Sequence, residues 1–580
     1  MNDGPPPFAL RDYALLADGE RGVLIGPRGE MAWMCFPSWD SPSVFSALLG
    51  GAGHYQVAPS DERFVWGGYY ERSTLIWTSR WVTTDALIEC REALAFPGHP
   101  SKTVILRRVR AVHGRASLTV RLQVAGDYGR RPITELARTA GVWTAASGAV
   151  HLRWQPGPGV RRNHKGELTL QVDLAEGEHR DLILELSTHR IEDPLADPDE
   201  LWTATEDSWC RDAPVMDGVP GQRDAAHAYS VLRGLTTASG AMVAAATMSL
   251  PERAEAGRNY DYRYAWIRDQ CFAGQAAAVV EGGETLLDAA VSFVTERLQA
   301  DGPELKPAYR TTGEPVPDES DLTHLPGYPG GQVKAGNRAN RQFQLDALGE
   351  ALLLFAAAAR DGRLTHDNWK AAEIAAEAIA ARWEQLDAGI WELDNRWWTH
   401  SRLTCVAGLR QIAAGGSGPQ SGQWTTLADA IAAETARRCV HSAGRWQRAA
   451  DDEGVDAALL LPVLRGAVML DDPRTAATIT AIEDRLCQDG YLYRYRHDER
   501  PLQDAEGAFS LCGFALALVY RQQGRRDQAL AWFERNRASC GPPGLLTEEF
   551  DVGERQLRGN LPQAFVHALL LECAARLGQS

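Results

Sequence analysis

The sequence predicts a multidomain β + α fold, with an N-terminal antiparallel β-sandwich followed by an α/α toroid of six helical hairpins. The chain has 580 residues, more than one ordinary domain holds. Its first part consists of short runs rich in β-branched and aromatic residues, whereas Ala- and Leu-rich segments of helical length follow from Arg223 onward. We therefore expect a β-sandwich domain over residues 1–200, a crossover over 201–222 and a helical domain over 223–580.

The β domain is predicted from runs that Gly, Pro, Asp and Asn separate, a spacing typical of an antiparallel sandwich. The runs cover residues 54–59, 63–70, 74–83, 103–112, 116–126, 141–154 and 167–175.

The helical domain is predicted from about twelve segments, which pair into six hairpins with their loops gathered at one end. The segments cover residues 224–235, 271–282, 284–299, 342–360, 368–386, a stretch from about 402, 424–440, 456–470, 476–487, 508–524, 527–538 and 562–577. A short internal repeat, which would indicate a solenoid, is not visible in the sequence.

Charge and composition argue against several classes of function. The net charge is −16, which disfavours nucleic acid or an anionic membrane as the main partner. The sequence lacks both a secretory signal pattern at its start and a run of ~20 apolar residues that would span a bilayer. The ten cysteines are scattered without a CxxC pair, which is typical of reduced, buried thiols. We therefore expect a cytoplasmic protein without a nucleic-acid or membrane partner, and the sequence leaves its oligomeric state open.

A Gly- and Pro-rich stretch of about forty residues follows residue 300. A loop of that length inside a compact domain is usually functional or disordered. It carries Tyr309, His324, Tyr328 and Asn337, so we expect an ordered wall of an active site.

Two further loops carry carboxylates beside rings or amides. One holds Glu392 directly after Trp391, whose ring would desolvate the carboxyl group and raise its pKa. The other holds Glu548 and Glu549 shortly before the last helix. Although a glutamate in a loop is most often a solvated charge, two carboxylates that face each other across a pocket are what glycoside hydrolysis requires.

Several motifs, in order along the chain, resemble bacterial glycoside hydrolase family 15, the glucoamylase and trehalase family. These are the opening at residues 12–49, "MSLPE", "RNYDYRYAWIRD", "HLPGYPGG", "QFQLDALGE", "GIWE", "GAFSLCGF", "LLTEEFD" and "GNLPQAF". The family fold, a β-sandwich joined to an (α/α)6 barrel, agrees with the fold that the residue pattern predicts.

The resemblance implies a pocket for the terminal, non-reducing glucose. "DYRYAWIRD" would supply ring contacts from Tyr262 and Trp266 and hydrogen bonds from Arg268 and Asp269. Arg258, Asp261 and Arg263 of the same segment have a simpler interpretation as ion pairs that brace the loop. Two more residues join the expected substrate-binding set, Trp391 and Arg494.

The resemblance also implies an inverting mechanism, with Glu392 as general acid and Glu548 as general base, and Glu549 as the rival for the second role. It implies neither a metal nor an organic cofactor. The expected activity is glucoamylase-like, releasing β-glucose from short α-linked gluco-oligosaccharides, with α,α-trehalase as the alternative. A disaccharide phosphorylase and a non-catalytic sugar-binding protein remain open as weaker alternatives.

Overall fold

A computed structural model describes residues 7–163, 166–253, 257–416, 419–497 and 500–579. The first six residues of the predicted β domain lie outside this described part.

The described residues of the N-terminal part form two antiparallel sheets of eight strands each, and the predicted antiparallel β-sandwich is confirmed. In spatial order the first sheet contains Ala14–Ala17, Gly22–Ile25, Glu30–Cys35, His54–Pro59, Ala116–Gln123, Leu168–Leu174 and Arg161–Arg162, and Ser43–Phe45 pairs with Glu30–Cys35. The second sheet contains Thr134–Thr139, Val142–Ser147, Val150–Gln155, His179–Ser187, Lys102–Gly114, Ala86–Leu94, Trp77–Val82 and Val65–Tyr70.

Alternating burial along the strands packs the two sheets face to face. In His54–Pro59, Tyr55 and Val57 are buried while their neighbours are partly exposed. Trp77 and Trp81 of the second sheet belong to the same apolar core as these two residues. Each large side chain that this core removes from water contributes roughly 1.5–3 kcal/mol, so the inward faces hold the sandwich together.

The described residues of the C-terminal part form fourteen α-helices. They are α1 Pro198–Arg211, α2 Gln222–Leu235, α3 Ile267–Ala277, α4 Glu284–Asp301, α5 Leu345–Arg360, α6 His366–Arg382, α7 Thr399–Gly415, α8 Pro419–Arg438, α9 Leu460–Leu464, α10 Pro473–Leu486, α11 Leu502–Ala505, α12 Ser510–Gln522, α13 Arg526–Arg537 and α14 Ala564–Gly578.

Six of these helices form a closed inner ring. Helix α3 contacts α5, and the contacts continue through α7, α9, α12 and α14 back to α3. Helices α2 and α8 each pack against one inner helix, whereas α4, α6 and α13 each pack against two consecutive inner helices. Helix α10 packs on the 3₁₀ turn Ala457–Leu459 that leads into α9. The (α/α)6 barrel that the sequence predicts is therefore confirmed.

The predicted crossover at residues 201–222 holds most of α1, a helix that begins at Pro198 and that the sequence pattern did not reveal. Asp197 caps α1 by accepting hydrogen bonds from two backbone N–H groups of its first turn, and Pro198 occupies its first position. Trp209 stacks on Phe96 of the β domain at 4.1 Å between ring centroids. The crossover is thus held against the sandwich, while the exact domain boundaries stay predictions.

The first sheet also packs its second face against the barrel. Leu15, Leu24 and Trp33 share a core with the barrel helices, and the Trp33 indole N–H donates to the Ala246 carbonyl at 3.0 Å. Strands such as Gly22–Ile25 are therefore buried on both faces. Across the described residues, no helix is both long enough and apolar enough to cross a membrane.

Candidate active site

A cavity of about 220 Å³ opens where the inner helices begin. Trp266 precedes α3, Gln342 precedes α5, Phe509 precedes α12 and Gln563 precedes α14, and all four line the cavity. Because the N-terminal end of a helix carries partial positive charge and unpaired N–H groups, this end of the ring suits carboxylates and polar ligands.

The structure brings to this cavity all eight residues that the resemblance implies as catalytic or sugar-binding. They are Tyr262, Trp266, Arg268, Asp269, Trp391, Glu392, Arg494 and Glu548.

The segment before α3 changes from strand to helix at the cavity wall. Residues Ala265–Trp266 pair with Ala308–Tyr309, and α3 begins at the next residue. Arg268 and Asp269 therefore occupy the first helical turn, where the charge of Asp269 interacts favourably with the helix dipole. The rings of Tyr262 and Trp266 meet edge to face, 5.6 Å apart.

Arg268 and Asp269 form a buried charged pair with an unused acceptor. Arg268 contacts Asp269 Oδ2 at 3.1 Å and donates to the Ile390 carbonyl at 2.8 Å. Asp269 Oδ1 is buried and has no hydrogen-bond partner among the described residues. Burial raises the pKa of Asp269 to about 6, although Arg268 opposes the shift. A buried acceptor without a partner is costly, so a sugar hydroxyl would complete the pair.

Glu392 lies in a strained backbone conformation at the edge of the cavity. Its φ angle is 56°, in the left-handed region that non-glycine residues rarely adopt. The Trp266 indole N–H donates to Glu392 Oε1 at 2.7 Å, and Arg268 Nη1 lies 3.6 Å from the same oxygen. These contacts orient a carboxyl group that keeps 26% of its side chain exposed, so it remains accessible to a ligand.

Glu548 is a deeply buried carboxyl group. The Tyr262 hydroxyl donates to its Oε2 at 2.8 Å. Burial raises the pKa of Glu548 to about 8, with a further increase from Glu252 that Arg494 and other neighbours oppose. Such a group holds or releases a proton near neutral pH, which suits acid–base work.

Arg494 and Trp391 line the cavity but are also held by the scaffold. Arg494 donates to Glu506 at 2.7 Å and to Glu549 at 3.0 Å. The Trp391 indole N–H donates to Asp456 at 2.9 Å. Both residues therefore present fixed groups to a ligand.

A second cavity, of about 530 Å³, adjoins the first and shares Arg338 and Glu392 with it. Polar and charged side chains dominate its wall, with Trp398 as the largest ring. We call it the outer chamber, and Glu392 lies on the boundary between the two spaces.

The sequence models of two known protein families match this chain. "Glycosyl hydrolases family 15" matches residues 227–575, and "Trehalase-like, N-terminal" matches residues 4–193. The chain belongs to glycosyl hydrolase family 15. It is accordingly an O-glycosyl hydrolase that acts on a carbohydrate.

This family 15 hydrolase resembles curated proteins over nearly its whole length. It is 31% identical to "Trehalase" of Mycobacterium tuberculosis, covering 99% of this chain and 90% of that protein. It is also 31% identical to "Trehalase" of Mycolicibacterium smegmatis, covering 99% and 91%. A bacterial glucoamylase in complex with acarbose shares the fold, with a TM-score of 0.73 and 13% identity over 99% of this chain and 96% of the other.

The forty-residue loop contributes less to the site of this hydrolase than the sequence predicted. Only its end reaches the cavity, through Asn337 and the neighbouring Arg338. The expectation was wrong for the other three residues, because their side chains bind elsewhere: Tyr309 to Asp301, His324 to the Tyr128 carbonyl and Tyr328 to the Phe8 carbonyl.

The motif "RNYDYRYAWIRD", which carries Tyr262 and Trp266, also contains ion pairs that stabilise the loop. Asp261 and Arg263 are fully buried and contact at 2.7 Å, and Arg263 also donates to the Ser41 carbonyl of the β domain. Arg258 instead reaches the cavity wall, where it pairs with Glu252 and Glu506.

Sequence reasoning missed Glu252 as a cavity residue. It is the last residue of the "MSLPE" motif. A charged residue after Pro in an apolar segment was the available signal. Among the described residues, no group of three or more His, Cys, Asp or Glu side chains is arranged to hold a metal ion. The predicted cytoplasmic location and the expected lack of a nucleic-acid partner stay predictions.

Proposed function

We propose that this chain is an inverting α,α-trehalase. The similarity to two proteins named trehalase, over 99% of this chain in both cases, is the observation that carries the proposal. It favours the alternative of the sequence analysis over the glucoamylase-like activity, since the likeness to a glucoamylase at 13% identity concerns the fold alone.

The two carboxyl groups take different roles in this proposal. Protonated Glu392 donates its proton to the glycosidic oxygen as the bond to the leaving sugar breaks. Glu548 acts in its ionised form, which its raised pKa of about 8 makes more abundant as the pH rises. In that form it removes a proton from a water that attacks the opposite face of the sugar ring. The hydrogen bond from Tyr262 to Glu548 Oε2 supports this role, because it fixes the carboxylate while leaving the second oxygen for water.

The glucose that is cleaved off would occupy the inner cavity. Its hydroxyls would bind Arg268 and the free Oδ1 of Asp269, and its apolar face would contact Tyr262 and Trp266. The cavity of about 220 Å³ is smaller than the 300–1,000 Å³ typical of drug-sized ligands, which supports binding of a single sugar unit.

The second glucose of the disaccharide would occupy the outer chamber. Glu392 borders both spaces, so the bond that it protonates would lie between them. The charged and polar wall of the chamber, with Arg338, Arg396 and His497, supports a hydroxyl-rich ligand there.

A substrate panel tests the proposal. We would measure glucose release from trehalose, maltose, maltotriose, isomaltose, kojibiose and nigerose, with and without inorganic phosphate. We expect the highest kcat/KM for trehalose, and products that do not include glucose 1-phosphate. A preference for maltotriose would favour the glucoamylase-like activity, and phosphate-dependent glucose 1-phosphate would indicate a phosphorylase. Glu392→Gln, purified in parallel, controls for a contaminating hydrolase.

A further inference from the structure

The Tyr262 hydroxyl lies between two buried carboxyl groups. It is 2.8 Å from Glu548 Oε2 and 3.2 Å from Glu252 Oε1. A phenol carries a single hydroxyl hydrogen, so it donates to one carboxylate at a time. The two carboxylates therefore compete for one hydrogen bond.

Glu252 is fixed in this position by its own partners. It is 4% exposed, and its Oε2 lies 2.9 Å from Arg258 Nη2. Arg258 also pairs with Glu506 at 3.2 Å, and Glu506 in turn holds Arg494. The carboxylate that faces Tyr262 thus remains in place when the hydroxyl turns away from it.

We propose that Glu252 is a positioning residue for the general base, which accepts the Tyr262 hydrogen bond when Glu548 becomes protonated. This inference rests on the proposed role of Glu548. Before attack, the hydroxyl donates to ionised Glu548 and fixes it toward the water. As the water oxygen bonds to the anomeric carbon, the bond from that carbon to the glycosidic oxygen breaks, and the leaving sugar takes the proton of Glu392. One proton of the water passes to Glu548, and the Tyr262 hydroxyl rotates to Glu252.

The rotation avoids an unfavourable contact. Protonated Glu548 no longer attracts a donor as strongly, because hydrogen bonds to ionised groups are the stronger ones. Glu252 offers an ionised acceptor 3.2 Å from the same hydroxyl oxygen. No proton is transferred to Glu252, so its charge and its pair with Arg258 are unchanged throughout.

The surroundings of Glu548 contain further charges that act in every variant below. The charged and titratable groups that interact with it or line the same cavity are Glu252, Arg258, Tyr260, Tyr262, Arg268, Asp269, Arg338, Glu392, Arg494, Tyr495, His497, Glu506 and Glu549. A test must therefore separate the effect of the shared hydroxyl from the effect of charge alone.

The test uses α-D-glucosyl fluoride, whose fluoride departs without protonation by Glu392. Asp269 also has a raised pKa but is the same in every variant, so a difference in the acid-side limb of kcat/KM between variants reports the base. For Glu252→Gln we expect this limb to move to lower pH by about one unit, because a like charge is removed and the Tyr262 hydroxyl is committed to Glu548. In a Tyr262→Phe background the same substitution should give a clearly smaller shift, since only the charge effect remains.

Glu252→Asp provides a second variant that keeps the charge beside Arg258 but withdraws the oxygen from the hydroxyl. In this variant the acid-side limb of kcat/KM should move to lower pH only by the part that depends on the Tyr262 hydroxyl, and KM should not change. Equal shifts with and without the Tyr262→Phe substitution, or an unmoved limb in a folded Glu252→Gln protein, would overturn the inference while leaving the proposed function intact. A wild-type protein inactive on every α-glucoside and on the fluoride would overturn both.

Discussion

Glu548 and Glu549 are adjacent in the chain, yet only the first of the two lines the cavity. Glu549 accepts hydrogen bonds from Arg494 at 3.0 Å and from the Gly507 N–H at 2.8 Å. It begins the short strand Glu549–Asp551, in which successive side chains point to opposite faces. The extended backbone therefore separates a ligand-facing carboxyl group from a structural one.

The first prediction separates these two glutamates. Glu548→Gln keeps the size of the side chain but removes the proton acceptor, so kcat should fall by about 10²–10⁴-fold with the fold intact. Glu549→Gln should change kcat less and should lower the melting temperature, since one amide oxygen cannot replace both of its hydrogen bonds.

Azide provides the control for this prediction. In Glu548→Ala it should enter the space left by the carboxylate and yield a β-glucosyl azide, whereas Glu549→Ala should form none. Normal turnover by Glu548→Gln, together with an inactive Glu549→Gln, would reverse the assignment.

The second prediction concerns Asp269 and pH. Its pKa rises from an ordinary 3.8 to about 6 on folding, so the folded state binds more protons than the unfolded state between these values. The free energy of unfolding attributable to this group is therefore highest below about pH 4 and falls as the pH rises toward 6. Asp269→Asn removes this loss and should be more stable than wild type at pH 7, on the order of 2 kcal/mol.

The same variant should lose activity, because the amide cannot supply the charged acceptor for a sugar hydroxyl. Buried charged hydrogen bonds contribute roughly 1.5–3 kcal/mol, so kcat/KM should drop by one to two orders of magnitude. Chemical denaturation at pH 4 and pH 7, with kinetics on the same samples, checks both parts. Full activity of Asp269→Asn would contradict the assigned contact.

The third prediction concerns the backbone of Glu392. At φ 56° a side chain with a Cβ atom is strained, whereas glycine is not. Glu392→Gly and Glu392→Ala both remove the carboxyl group and should both be nearly inactive on trehalose. The glycine variant should nevertheless be the more stable of the two, by about 1 kcal/mol. A more stable alanine variant in urea titrations would show that this conformation is unstrained.

The fourth prediction concerns stereochemistry. Inversion of α,α-trehalose releases one glucose as the β-anomer and the other as the α-anomer. Hydrolysis in ¹⁸O-labelled water should therefore place the label in the β-glucose alone. Proton NMR of the earliest products, before mutarotation, should show the two anomers in equal amounts. Products that are all α-anomer would contradict the inverting mechanism.

Most of the fold could be predicted from the sequence because its helices carry strong local signals. The segments at residues 284–299 and 342–360 are long and rich in good helix formers, and they correspond to α4 and α5. All twelve expected helices exist, since the packing of the ring agrees with these local preferences.

The first strands escaped detection for a physical reason. Strands Ala14–Ala17 and Gly22–Ile25 are buried on both faces, between the second sheet and the barrel. Continuous burial removes the alternation of polar and apolar residues by which a strand is recognised. The burial of their second face depends on the barrel helices, which lie far away in the sequence.

The site was predictable in so far as its residues lie in distinctive motifs. The motif "RNYDYRYAWIRD" contains four of the eight candidates, and all eight reach the cavity. Glu252 was not predicted because its importance depends on its closeness to the Tyr262 hydroxyl, a residue ten positions further along the chain. The prediction that Tyr309, His324 and Tyr328 line the site was wrong because the sequence of a loop does not indicate which of its side chains face a ligand.

The contact between α14 and α3 closes the inner ring, and it joins the two segments that carry Glu548 and Asp269. A nascent chain therefore makes nearly every hairpin before it can bring these two residues together. Catalytic competence should appear only after the sandwich and the earlier hairpins have been synthesised, and regain of activity during refolding would report that α14 has docked on α3. Glycoside hydrolysis can therefore be used to measure when the barrel has closed.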